Sequence, residues 1–118
     1  YVGITTAGFP NAFMLYGPNT NNGSIITMIE HQVDHVLAQL RHLVEEDLAW
    51  VDVRPEAMAR YNDEIQKALD EVGPWNADCH NYYRSASGRI VTQWPMSMAE
   101  YGRHTSELDW TAFEVGRH

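Results

Sequence analysis

From Ile25 onward, apolar residues recur at helical spacing: Ile25, Ile26, Ile29, Val33, Val36, Leu37, Leu40, Leu43 and Val44. That period predicts one amphipathic helix of about 20 residues, roughly 30 Å long at the usual rise per residue. A helix this long draws most of its stability from what its apolar stripe packs against, so this segment constrains the rest of the fold. Ser24 stands where an N-cap belongs, and Glu45-Glu46-Asp47 closes the pattern in charge.

Upstream, Gly8-Phe9-Pro10-Asn11 is turn chemistry, and Ala12-Phe13-Met14-Leu15-Tyr16 is a short, continuously apolar run. Such a run, bounded by turns, predicts a strand buried on both faces as in a parallel sheet. It requires neighbouring strands, and no comparable run lies nearby. Gly17-Pro18-Asn19-Thr20-Asn21-Asn22-Gly23 then reads as a polar loop leading into the helix.

Downstream, Trp50-Val51-Asp52-Val53 suits a short strand. Pro55 at a first helical position, with Glu56 beside it, opens a second helix whose stripe is Met58, Tyr61, Ile65, Leu69 and Val72; Gly73-Pro74 stops it. Beyond Pro74 the period is lost. Tyr82-Tyr83 can begin a hairpin turning at Ser87-Gly88 and returning over residues 89–93, and short helices are expected around Ser97–Tyr101 and Asp109–Glu114. The chain therefore reads as α/β, mainly helical with one buried sheet strand. It divides into a strand–loop–helix part (1–46) and a helix plus irregular tail (47–118).

The chain has 118 residues, enough for one domain or part of one. Sixteen acids against eight bases, a formal charge of -8, argue against nucleic acid and against anionic membrane surfaces. The one cysteine, Cys79, can form no internal disulfide and suits a reducing cytoplasm. No apolar run reaches the ~20 residues that span a bilayer. The start, Tyr1-Val2-Gly3, has no initiator methionine, so the expectation is a piece of something longer.

A buried strand, a Gly-Pro-Asn loop and a long helix make a unit with a chemical use. The first N–H groups of a helix lack intrahelical partners and carry partial positive charge, so they can face an anion or an electron-rich ring edge. In open α/β sheets ligands sit at the carboxyl ends of strands, where this loop falls. A strand–turn–helix with glycines is common and usually only a structural connection, and no GxGxxG accompanies this one. His31 and His35 lie one turn apart and could bind a metal, but no third ligand is evident, so they read as exposed polar residues and no metal is assigned. Cys79 and His80 are adjacent, a poor geometry for joint nucleophilic action.

Several segments, in order along the chain, resemble one family. Gly8 to Asn21, reading GFPNAFMLYGPNTN, is similar to the "GFPNLF…GPNTN" segment of Baeyer–Villiger monooxygenases, flavoproteins akin to cyclohexanone monooxygenase. Glu30 and Gln32 match the "IExQ" that follows it there. Val53-Arg54-Pro55-Glu56 resembles "VRPE", Cys79 to Tyr83 resembles "CxSWY", and Ser87 to Pro95 resembles "SGRxTTLWP".

The resemblance implies the C-terminal fragment of a flavoprotein with two dinucleotide-binding domains, using FAD and NADPH to insert one oxygen atom of O2 beside a ketone. It places Gly17, Pro18, Asn19, Thr20, Gly23, Ser24 and Ile25 near the flavin, and Asn22, Gly23 and Ile25 in the substrate pocket. Tyr82 falls where the family usually has a tryptophan touching the nicotinamide cofactor; tyrosine keeps a flat face but lacks the indole N–H. The family's glycine fingerprints, its "FxGxxxHxxxW" signature and its flavin-site arginine have no counterpart here; Arg54, Arg60 and Arg89 match none of them. The implied partners are the remaining FAD and NADP domains of the parent chain and a small ketone. No catalytic residue is assigned, and the piece alone is not expected to turn over. The competing reading is a self-contained helical interaction module, a homo-oligomer through the long helix.

Overall fold

The computed structural model describes residues 1–21, 24–71, 89 and 94–118. Helix α1 spans Ile25–Glu45, strand β1 Leu48–Val53, helix α2 Pro55–Asp70, helix α3 Met98–Ser106 and strand β2 Phe113–Arg117. Ser24 caps α1, its hydroxyl accepting from Thr27 N at 3.3 Å, and α2 starts on Pro55, whose missing N–H costs nothing there. The chain leaves α1 through Asp47, which takes a left-handed φ of 53° and turns directly into β1. Ser97 caps α3 by accepting from Glu100 N at 3.1 Å.

β1 and β2 pair antiparallel, from Leu48 opposite Arg117 to Val53 opposite Phe113, with an irregularity between Leu48 and Trp50. This pair corrects two sequence expectations. The helix expected over Asp109–Glu114 is a single 3-10 turn at Trp110–Ala112, after which Phe113 enters β2. Arg54 N donates to Ala112 O at 2.8 Å, and the ladder to β1 overrides local helical preference. The strand expected over Ala12–Tyr16 is not formed. No described strand lies beside it to complete a ladder; Met14 N donates to Ile4 O at 2.7 Å, and Leu15 remains 51% exposed.

Two apolar clusters hold the elements together. One joins Val2 and Ile4 to Met28 of α1, to Tyr61, Ile65 and Leu69 of α2, to Trp94 and to Tyr101 of α3. The other joins Leu43, Val51, Val53, Ala57, Ala112 and Phe113 under the sheet. The stripe read for α2 therefore faces inward at Tyr61, Ile65 and Leu69; Val72 lies outside the described residues, as does the hairpin expected from Tyr82 to Gln93 apart from Arg89.

Helix α1 packs differently from its pattern. Its buried residues are Met28, Gln32, His35, Gln39 and Leu43, a face that is mostly polar. Ile25, Ile26, Val33, Leu37, Leu40 and Val44 are exposed, Ile26 to 73% and Val44 to 82%. Six of the nine residues in the apolar stripe that predicted the helix are therefore exposed, while Leu43 is buried and Val36 packs against the first cluster.

Candidate functional site

The turn from Tyr16 to Thr20 is held from behind by several elements. Ahead of it, Asn11 docks on β1: its backbone N–H donates to Val51 O at 2.9 Å, its Nδ2 to Ala49 O at 3.0 Å, and its Oδ1 accepts from Val51 N at 2.9 Å. Asn11, itself in left-handed backbone at φ 59°, thus ties the Gly-Phe-Pro-Asn turn to β1 through both backbone and side chain. Gly8 N also donates to the Asp52 carboxylate at 3.1 Å.

At the turn itself, Tyr16 and Asn19 both take left-handed backbone, each with φ of 57°. Asparagine tolerates that region; for a tyrosine it costs energy and persists only where surrounding contacts impose it. Thr20 Oγ1 donates to Gly17 O at 2.7 Å and closes the turn. Gly17 must be glycine, because a Cβ there would strike the Gly3 carbonyl oxygen. Tyr16 N donates to the Gln32 side-chain oxygen at 2.7 Å, and Tyr16 OH donates to Asn21 Oδ1 at 2.7 Å.

Of the residues expected near a cofactor, Gly17, Pro18, Asn19 and Thr20 fall together in this turn, with Asn19 and Thr20 buried. Ser24 and Ile25 lie at the start of α1 and are exposed, so that helix end is not packed under other described residues. The Ser24 hydroxyl satisfies one of the helix's first amides. Asn22, Gly23 and Tyr82 lie outside the described residues.

A turn and helix start of this kind can present backbone N–H groups to an anion or an electron-rich ring edge. A close-packed glycine turn and an open helix start bring backbone, rather than long side chains, to a surface. The described residues contain no group of three or more His, Cys, Asp or Glu placed to hold a metal. The histidines point to different partners: His31 lies against Gly102, and His42 stacks on Trp110 with ring centroids 4.1 Å apart. His35, expected to be exposed, is buried. Its Nδ1 donates to Thr105 O at 2.9 Å, and burial lowers its pKa below the ordinary imidazole value. Neither of its ring positions is open to a metal from solvent.

Sequence reasoning noticed Asn11 and Gln32 as motif residues but gave neither a role at the site, and it assigned none to Gly3 or Tyr101. The available signal for Gln32 was its spacing with Met28, His35, Gln39 and Leu43, a second helical face hidden by the stronger apolar one.

No protein-family profile matches the chain. A Baeyer-Villiger monooxygenase of Streptomyces coelicolor is 39% identical over 119 aligned positions, covering 98% of this chain and 23% of that protein. An FAD-binding monooxygenase of Aspergillus niger is 34% identical over 96% of this chain and 20% of its own length. The chain thus spans about a fifth of the curated relatives it matches. Among solved structures, a closed form of cyclohexanone monooxygenase superposes with a TM-score of 0.87 at 22% identity, covering 100% of this chain and 23% of that one. An oxidized steroid monooxygenase bound to NADP gives 0.85 at 23% identity, again over 23% of its length. At that identity the superpositions speak to fold.

Proposed function

This chain belongs with the Baeyer–Villiger-type flavin monooxygenases as a segment matching their C-terminal part, and from that premise we propose that it closes the flavin site and shapes the substrate pocket of such an enzyme. The whole enzyme oxidises a ketone to an ester or lactone, consuming O2 and NADPH and releasing water and NADP. FAD supplies the oxygen-activating chemistry and NADPH the hydride. Neither is held by this segment alone, because the dinucleotide-binding folds lie in the rest of the parent chain.

Within that enzyme, Gly17, Pro18, Asn19 and Thr20 form a fixed floor beside the flavin. Gly23, Ser24 and Ile25 bring the start of α1 to its pyrimidine edge, where the helix dipole favours the negative charge of the reduced ring. Asn22, Gly23 and Ile25 line the ketone pocket, and Tyr82 meets the nicotinamide cofactor. Residues 1–46 make this unit; β1, α2, α3 and β2 of the remainder brace it from behind.

The observation that carries the proposal is the open start of α1 beside a turn pinned on its other side. The exposed stripe Ile26, Val33, Leu37, Leu40 and Val44 supports it: an apolar row left exposed along one helix face is the kind of surface another domain buries. The FAD- and NADP-binding domains of the same chain cover it. No helix among the described residues is long and apolar enough to cross a membrane.

The test is to purify the complete enzyme and measure FAD content and NADPH-dependent conversion of cyclic ketones to lactones by mass spectrometry. Substituting Ile25→Ala should change the ranking of ketones by several-fold in kcat/KM. Absence of bound flavin, or turnover by the 118-residue chain alone, would overturn the proposal. The same apolar stripe also favours a second reading, self-association of this segment. It predicts that Leu40→Glu dissociates an oligomer of the complete enzyme without loss of flavin.

A further inference from the structure

The described residues contain a buried hydrogen-bond relay that ends at the turn proposed to face the flavin. Gln32, fully buried on α1, accepts from Tyr16 N at 2.7 Å. Its Nε2 donates to Tyr101 OH on α3 at 3.1 Å, and Tyr101 OH donates to Val2 O at 2.6 Å. Tyr101 is likewise fully buried. The donors and acceptors that form the relay are paired along its length, and a buried polar network satisfied in this way fixes geometry.

Its end point matters. Tyr16 sits at φ 57°, a left-handed conformation that a tyrosine does not keep unaided, and Gly17 follows directly. The Gln32 amide oxygen is the acceptor that holds Tyr16 N–H in that conformation. Releasing it lets Tyr16 relax toward ordinary backbone and rotates the peptide entering Gly17-Pro18. Thr20, bonded back to Gly17 O, must move with it.

We infer that Gln32 is a positioning residue for the cofactor site: through Tyr16 it sets the backbone of the Gly17–Thr20 turn, and Tyr101 in turn sets the Gln32 amide. This rests on the reading of that turn as flavin-facing. Gln32 touches neither flavin nor ketone, so its action shows in how well the ring is held rather than in the chemistry itself.

The experiment uses the complete enzyme carrying Gln32→Met, which preserves length and volume but removes both hydrogen bonds, and Tyr101→Phe, which removes the hydroxyl that orients the Gln32 amide and so loosens the Tyr16–Gln32 bond. Three readouts are taken: the FAD dissociation constant with the visible flavin spectrum, the share of NADPH oxidation that yields hydrogen peroxide instead of lactone, and deuterium uptake of the peptide over residues 15–20. Gln32→Met is expected to weaken FAD about tenfold, raise the peroxide share and speed exchange at that peptide. Tyr101→Phe should do the same at about threefold. If Gln32→Met melts earlier yet leaves flavin affinity, spectrum and exchange unchanged, Gln32 is merely core packing and the inference is overturned. If Gln32→Met does not fold, unchanged values in Tyr101→Phe overturn it equally. If the complete enzyme binds no FAD while exchange still accelerates, the flavin-facing reading falls and the tether on Tyr16 stands.

Discussion

The two faces of α1 invert the usual arrangement of an amphipathic helix. On the inner face lie Met28, Gln32, His35, Gln39 and Leu43; on the outer face lie Ile26, Val33, Leu37, Leu40 and Val44. Within this chain the polar face is the buried one. A helix at the surface of a finished domain is arranged the other way, with its apolar stripe inward. The inversion makes sense if α1 is an interior element of a larger body, lined by specific polar contacts on one side and by general apolar packing on the other.

The inner face is itself uneven. Gln32 is satisfied on both ends of its amide, whereas Gln39, equally buried, has no partner for either amide atom. His35 spends Nδ1 on Thr105 O and leaves Nε2 without a partner. Buried polar atoms without partners cost stability, so Gln32 and Gln39 should respond oppositely to removal of their polar groups.

The largest expected effect contrasts the two faces directly. Met28→Ala on the inner face should destabilise the complete enzyme by about 2–5 kcal/mol in chemical denaturation, from a lost core side chain and the cavity it leaves. Leu37→Glu on the outer face should lower soluble, flavin-loaded yield of the complete enzyme severely while leaving the 118-residue piece as soluble or more so. Equal tolerance of Leu37→Glu in both would show that the outer face is surface everywhere. Next, Gln39→Leu should raise stability by about 1–3 kcal/mol, since it removes two unpartnered buried atoms and keeps the volume. A loss of similar size would mean that Gln39 has a partner in the complete enzyme.

His35 gives the pH arm of the same contrast. Burial lowers its folded-state pKa below the unfolded value of about 6.5, so the unfolded chain binds the proton more readily. Its contribution is fully present above about pH 6.5 and is lost as pH falls from there toward the folded pKa. Denaturation midpoints measured downward from neutrality should show a decline that His35→Gln flattens. The smallest effect is at the cap. Ser24→Ala should cost about 0.5 kcal/mol, the low end for a cap, because the Ser24–Thr27 bond is 3.3 Å long and exposed.

Local chemistry made much of the helical framework legible. The period from Ile25, the Ser24 cap, Pro55 at a helix start and the Tyr61–Ile65–Leu69 stripe are each written within a few residues of where they act. The strand pair was not legible as a pair. β2 follows a segment with turn-like residues, and its partner β1 lies some sixty residues earlier, so only the ladder from Val53–Phe113 to Leu48–Arg117 reveals it. The run Ala12–Tyr16 misled for the converse reason: apolar composition marks burial somewhere, and here the described neighbours do not supply it. At the site, motif residues gathered Gly17, Pro18, Asn19 and Thr20 into one segment, but the supports beneath them come from Gly3, Gln32 and Tyr101, which no local pattern connects.

The order of residues was sufficient to specify that a long helix follows a glycine–proline–asparagine turn, and the run of motifs along it was sufficient to point to the flavin monooxygenases. Those features depend on short-range sterics and on hydrogen bonds between near neighbours. Which side of that helix turns inward, and which buried amide anchors the turn, depended on contacts between residues as far apart as Val2 and Tyr101. Such contacts arise when the whole set of surfaces is packed at once, because hydrophobic burial is non-directional and takes its direction from the partners available.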